Sequence, residues 1–209
     1  MSAQGTPGSL IPRRSTKLEA VNFMLRTIHE RPISSLDDIG IADAQHALDV
    51  LEEQNREVQT NGWHFNTHIN HRFDPQSGNK LIKVPTSCLK VRNVRATGCC
   101  GRGLDVIQDG EHLYDLVKGS FEFDHPIWAD WVELKDFERI PEAARSYIRI
   151  KAARIFVQQS LGSVTDHSLT QEQEYYALAV LRNSEGQTAK NNILWNNWGV
   201  FSTVRRDRW

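Results

Sequence analysis

The feature that most limits how this chain can fold is a change of hydrophobic period along its length. Near both ends apolar residues recur every three or four positions; between them they recur every second position. The first spacing lines side chains along one side of a helix, and the second lines them on one face of a strand. The pattern predicts an α+β fold. Four main helices from the N- and C-terminal parts form an antiparallel helical bundle, with a central β-region and extended termini.

The first helix is expected over 17–31. Thr16 with Glu19 three positions on makes a capping box, and Leu18, Val21, Leu25 and Ile28 share one face. Pro32 is expected to stop it. The second helix is expected over 41–61, with the stripe Ile41, Ala44, Leu48, Leu51 and Val58 and with Asn55 on the same line. Gly62 stands where a helix C-terminal cap is expected. The loop between the two helices is short, so they should pack antiparallel, burying Leu48 and Leu51 against Leu25 and the third helix.

From Trp63 the period becomes two: Trp63, Phe65 and Thr67 alternate with His64, Asn66 and His68, which predicts a strand. The β-region is expected over 63–135, with short strands at 81–84, 89–94, 104–107 and 112–116 and another carrying Val132 and Leu134. Asp109-Gly110 predicts a tight hairpin turn. Ile140-Pro141-Glu142 opens a third helix over 141–160, whose face is Ala144, Ile148, Ala152 and Ile155, widened by Tyr147, Ile150 and Val157. Ser168 with Gln171 is expected to cap a fourth, 169–183, through Leu169, Tyr176, Ala179 and Val180. This gives a flexible arm over 1–16, one domain over 17–184 and an extended Trp/Arg-rich tail over 185–209.

With 209 residues the chain can bury one sizeable core. A formal net charge of -1 argues against coating nucleic acid by bulk charge. Three cysteines, two of them adjacent, do not form a disulfide framework. Residues 1–15 lack the apolar stretch of a secretory signal, and no apolar run is long enough to span a membrane.

Several clusters invite chemistry, and each has a plainer reading. His64, His68 and His71 are close in sequence, but in a regular strand His64 and His68 would share a face while His71 points away. Solvated or interface histidines are expected. Cys88, Cys99 and Cys100 with His112 contain no C-x-x-C pair, and buried free thiols are expected. Gly98, Gly101 and Gly103 with Arg102 meet neither phosphate-loop pattern and predict a hairpin tip. Glu133, Asp136 and Glu138 could supply a glycosidase pair, yet acids just before a helix ordinarily serve its dipole. No catalytic, cofactor-binding or metal residue is assigned.

The C-terminal segment differs. Trp195, Trp198, Phe201 and Trp209 follow no period, and Arg205, Arg206 and Arg208 accompany them. Free in water these rings would be unusual, and Trp and Arg are the residues that most often anchor interfaces. These seven residues are expected to dock on a partner surface.

The order of short motifs resembles a known family, the tail tubular protein A or head–tail adaptor proteins of short-tailed podovirus-type bacteriophages. The residues that carry it are Leu18-Glu19-Ala20-Val21-Asn22 with Ile28, then Pro32-Ile33-Ser34-Ser35-Leu36. Next come Ala42-Asp43-Ala44 and Asn61-Gly62-Trp63-His64-Phe65-Asn66. The later block is Leu134, Asp136-Phe137, Ile140-Pro141-Glu142, Arg145, Tyr147-Ile148, Lys151-Ala152, Arg154, Phe156 and Leu161-Gly162. The likeness spans residues 18–181, more loosely in the middle, and the Trp-rich tail departs from it.

The resemblance implies a virion structural protein without catalysis, assembled in the host cytoplasm and resident in the tail. It implies a homo-oligomeric ring, a dodecamer, beneath the portal protein. A nozzle protein of the tail tubular protein B type and a tail fibre near that junction are the further partners. Genomic DNA would pass through the lumen during ejection without specific binding, and no membrane or cofactor is involved. Two other classes stay open on sequence alone: a tail-associated hydrolase of cell-surface polysaccharide, which needs two facing acids, and a DNA-binding module, which needs salt-dependent DNA affinity.

Overall fold

The computed structural model describes residues 14–37, 42–96, 104–161 and 171–188. Among these described residues four helices, α1 (Lys17–Thr27), α2 (Ala42–Thr60), α3 (Glu142–Leu161) and α4 (Gln171–Thr188), accompany five strands. The strands are β1 (Thr67–Phe73), β2 (Cys88–Ala96), β3 (Val106–Asp109), β4 (His112–Asp115) and β5 (Ile127–Glu133). The class is α+β.

The capping box of α1 is present: Glu19 N donates to Thr16 Oγ1 at 3.2 Å and Thr16 N to the Glu19 carboxylate at 3.0 Å. The helix ends at Thr27, short of the expected 31. His29 adopts a left-handed φ of 63° and Glu30 N reaches back to Leu25 O at 3.0 Å. That reversal closes the last turn before Pro32 is reached. Asn22 then holds the returning chain through two bonds to the backbone of Ile33, at 2.8 and 2.9 Å.

On α2 the residues Ala44, Leu51 and Val58 are buried as expected, together with Ala47 and Val50. Leu48 is only partly buried, packed at the rim of the same core, and Ile41 lies outside the described residues. Leu25, Leu51, Ile148 and Phe156 belong to one helical core. Lys151 bonds Glu57 at 2.9 Å while Phe156 meets the His46 ring at 5.4 Å, so α2 and α3 run in opposite directions.

The face of α4 is a correction. Ala177 and Leu181 are buried, whereas Tyr176 is 74% exposed and Val180 42%. Residues 175–181 are all apolar, so periodicity could not choose a side. The choice falls to the Arg154–Glu174 ion pair at 2.5 Å, which turns the Ala177–Leu181 line inward. The helix also continues through Thr188, so 185–188 are helical rather than extended tail. Ser168 and Leu169 lie outside the described residues.

Between the layers the chain does not enter a strand at Trp63. Residues His64–Asn66 form a 3-10 turn, and β1 begins at Thr67. Asn66 is fully buried. Its carbonyl accepts Trp63 N at 2.9 Å, and its amide donates to Gln59 O and Glu133 O at 3.0 Å each. Those bonds curl the segment, so the alternation of Trp63 and Phe65 is not that of a strand. Gly62, at φ +76°, makes the turn possible; a Cβ there would sit 2.9 Å from Val132 Cγ2. Gln59 completes the joint, accepting Lys135 N at 2.9 Å and donating to Lys135 O at 2.8 Å.

Strands β1, β5 and β2 form an antiparallel sheet in that order, and β3 pairs with β4. The latter hairpin turns at Asp109-Gly110 as expected, with Gly110 at φ +60°. Residues 81–84 make isolated bridges at Leu81 and Lys83. A second core of Phe73, Ile82, Val84, Leu113, Phe123, Ile127, Ala129 and Trp131 lies within the β-region.

Candidate functional site

Strand β5 is the middle of the sheet, and its residues alternate between two faces. Ile127, Ala129 and Trp131 enter the second core, so Trp128, Asp130 and Val132 belong to the opposite face. The two edge strands do not follow the alternation. Each has one irregularity, between His68 and His71 on β1 and between Arg92 and Arg95 on β2. Each contains an asparagine in the left-handed region, Asn70 at φ 54° and Asn93 at φ 53°.

One side chain holds both. The Asp130 carboxylate accepts Asn70 N at 2.8 Å on one side and Asn93 Nδ2 at 2.6 Å on the other. Asp130 is buried, so each bond is made away from competing water. Asparagine tolerates this backbone region better than other residues with a Cβ. A bulge adds one residue, so side chains three apart return to the same face.

This reverses the expectation for His71. His68 pairs with Trp131 and His71 with Ala129 across the strands, so both rings fall on the Trp131 side. His68 stacks on Trp131 with centroids 4.5 Å apart, and His71 meets the same ring edge-on at 6.0 Å. His68 Nε2 bonds Glu133 at 2.9 Å, with Lys135 Nζ 3.8 Å from that carboxylate. The His68 hydrogen bond holds the Glu133 carboxyl below the usual glutamate range, against the partial burial that opposes it. His64 stands apart in its exposed turn, its amide donating to Glu185 of α4.

The second bulge acts in the same way on the other face. Arg92 pairs with Asp130, and Arg95 with Trp128, so both arginines lie on the Trp128 side. Arg72 on β1 also pairs with Trp128, and its guanidinium carbon lies 5.7 Å from that ring's centroid. The result is a row, Arg72–Trp128–Arg95, across three strands. Arg72 bonds Asp74 at 2.6 Å; Lys90 and Arg95 are exposed and have no acidic partner among the described residues. Sequence reasoning missed this row because periodicity alone puts Arg92 and Arg95 on opposite faces.

The other singled-out residues are dispersed. Cys88 is partly buried, with its thiol pushed up by burial, and its Sγ contacts Gln108 at 3.5 Å. Cys99, Cys100, Gly98, Gly101, Arg102 and Gly103 lie outside the described residues. Glu138 faces Lys17 N at 3.5 Å, at the start of α1, and Asp136 O accepts Arg139 N at 2.9 Å. Among the described residues no group of three His, Cys, Asp or Glu is placed to hold a metal ion. Arg145, 2% exposed, was not singled out for structure. It donates to Ile140 O at 2.9 Å and Ser15 O at 2.8 Å, and also to Glu138 O, clamping the start of α3 to the chain entering α1. Trp195, Trp198, Phe201, Arg205, Arg206, Arg208 and Trp209 lie outside the described residues.

Apolar side chains are also exposed at Ile69 on β1, at Ile107 on β3, at Leu116, Val117 and Phe121 after β4, and at Tyr175, Tyr176 and Val180 on α4. Arginine–tryptophan rows and exposed aromatic residues are the chemistry of contact surfaces. They belong here to a structural protein of a phage tail. The family model for tail tubular proteins matches residues 18–191, most of the chain, and the chain belongs to that family. Tail tubular protein A of Klebsiella phage KP34 is 27% identical over 167 residues, covering 79% of this chain and 85% of the relative. The chain is thus a virion component. Among the described residues no helix is long and apolar enough to cross a membrane.

Proposed function

We propose that this chain is the subunit of a head–tail adaptor ring. The ring, a dodecamer, seats beneath the portal protein and receives the nozzle protein on its other side, with a tail fibre near that junction. The genome passes through its lumen during ejection, and the subunit acts without catalysis. The observation that carries this reading is the tail tubular family match over residues 18–191, with a relative named tail tubular protein A covered over 85% of its length.

The subunit body in this reading is an antiparallel four-helix bundle joined to a central β-region. A ring needs a heterologous interface whose rotation closes, and a body with two unlike layers offers two unlike surfaces. The tail beyond α4 serves as an anchor on the portal or a neighbouring subunit. Trp195, Trp198, Phe201 and Trp209 supply apolar area with few rotors, while Arg205, Arg206 and Arg208 pair with acidic groups.

Deleting residues 189–209 tests the anchor. The expected outcome is an almost unchanged melting temperature with loss of incorporation into particles. A deleted chain that unfolds, or that enters particles normally, contradicts it. Reconstitution of the full chain with purified portal tests the ring: closed rings of one size are expected, and monomers that ignore portal would overturn the reading.

A further inference from the structure

We propose that the Trp128 face of the sheet in one subunit docks against the acidic outer side of α2 in the next, forming the lateral contact of the ring. This rests on the ring reading above. The sheet side is cationic: Lys90 and Arg95 are exposed and lack an acidic partner among the described residues. Arg92 donates to Thr67 Oγ1 at 3.4 Å, and its Nε has no partner there. Asp130, the acid on this face, is buried and engaged by Asn70 and Asn93, so it does little to neutralise the patch.

The α2 side is its complement. Asp49, Glu53 and Glu57 are exposed and fall four apart on one line of the helix. Like charges at that spacing repel one another and destabilise an isolated helix. Asp49 accepts Gln45 Nε2 at 2.9 Å and Glu57 takes Lys151 at 2.9 Å, while Glu53 has no partner among the described residues. The acidic line is ~12 Å long at the helical rise. Lys90 and Arg95 are ~16 Å apart at the strand rise, less the shortening of the bulge. Each surface is self-repelling within one chain, and the two are opposite in sign and matched in length. That is the arrangement a head-to-tail contact between copies requires. Trp128 pairs with Arg95 across the strands and supplies a flat apolar ring at that end of the cationic line.

The test is a charge exchange in the full chain, supplied in cells to a phage that lacks it, with incorporation into particles as the readout. Lys90→Glu with Arg95→Glu reverses the sheet side, and Asp49→Lys with Glu53→Lys reverses the helix side. All four positions are exposed, so melting temperatures should stay near wild type. Each pair alone is expected to cut incorporation by about tenfold or more. Co-expressing the two reversed chains is expected to restore it to within about threefold, because copies can alternate with every contact again opposite in sign. The inference is overturned if either pair is silent, or if co-expression gives no rescue while wild type assembles. If only the sheet reversal matters, and it also abolishes salt-dependent binding of a short DNA duplex, the sheet face belongs to DNA. Absence of the wild-type chain from particles would remove the ring reading itself.

Discussion

The helical layer and the β-region are ordered by different means. In the helical layer, contacts that fix conformation are mostly local: the Thr16–Glu19 capping box and the apolar lines of α2 and α3 lie within a few turns. In the β-region the deciding contact is long-range. Asp130 reaches 60 residues back to Asn70 and 37 back to Asn93 and sets both edge bulges. Side chains of α1, α2 and α3 are therefore placed by period, and those of the two edge strands past their bulges by a single carboxylate. The sheet's surface chemistry, the His68–Trp131–His71 cluster on one face and the Arg72–Trp128–Arg95 row on the other, depends on that carboxylate.

The sharpest test of the helical half compares two leucines. Leu51 is buried in the core shared with Leu25 and Phe156, while Leu48 sits at its rim. Leu51→Ala should cost ~2–5 kcal/mol in chemical denaturation, and Leu48→Ala clearly less. Equal losses would mean the rotation of α2 is wrong.

Asp130→Ala should follow in size. It removes the hydrogen bonds of Asn70 and Asn93 to a buried carboxylate, but also that carboxylate's desolvation cost, so the net loss should be ~1.5–3 kcal/mol. The loss of stability should come with a change at both edge strands. Amide exchange should rise at Asn70 and around Asn93 together. Exchange rising at one strand alone would break the claim that one group sets both bulges.

Gly62→Ala probes the joint between the layers. The left-handed backbone costs an alanine ~1–2 kcal/mol, and the approach of Val132 Cγ2 adds to it. A neutral substitution would contradict the turn geometry that seats Asn66.

The smallest effect is electrostatic. The Glu133 carboxyl is held below its ordinary value of 4.5 by the His68 bond. A depressed carboxyl contributes stability fully above the unfolded value, and loses it as pH falls through the folded one. The pair is partly exposed, so Glu133→Gln should cost no more than ~1 kcal/mol at neutral pH. The difference from wild type should vanish in acid. A difference that persists there would place the effect in packing rather than charge.

What was legible in the sequence follows the same division. Thr16 with Glu19, Gly62, Asp109-Gly110 and Pro141 mark boundaries because each acts on its immediate neighbours. The inward side of α4 was not legible, since residues 175–181 are apolar all round and the Arg154–Glu174 pair decides. The shared face of His68 and His71 was hidden for a related reason. Nothing near Asn70 announces a left-handed backbone whose amide is received 60 residues away. The turn at His64–Asn66 imitates strand alternation until the buried Asn66 amide finds Gln59 and Glu133.

The ring between portal and nozzle is the proposal on which the other assembly predictions depend. An electron cryomicroscopy reconstruction of the intact particle tests it directly. A closed ring of this chain beneath the portal is expected, with DNA or an open channel on its axis. Its residues 189–209 should be in contact with portal or a neighbouring subunit. Density for the chain elsewhere in the tail, or as isolated copies without lateral contact, would contradict it.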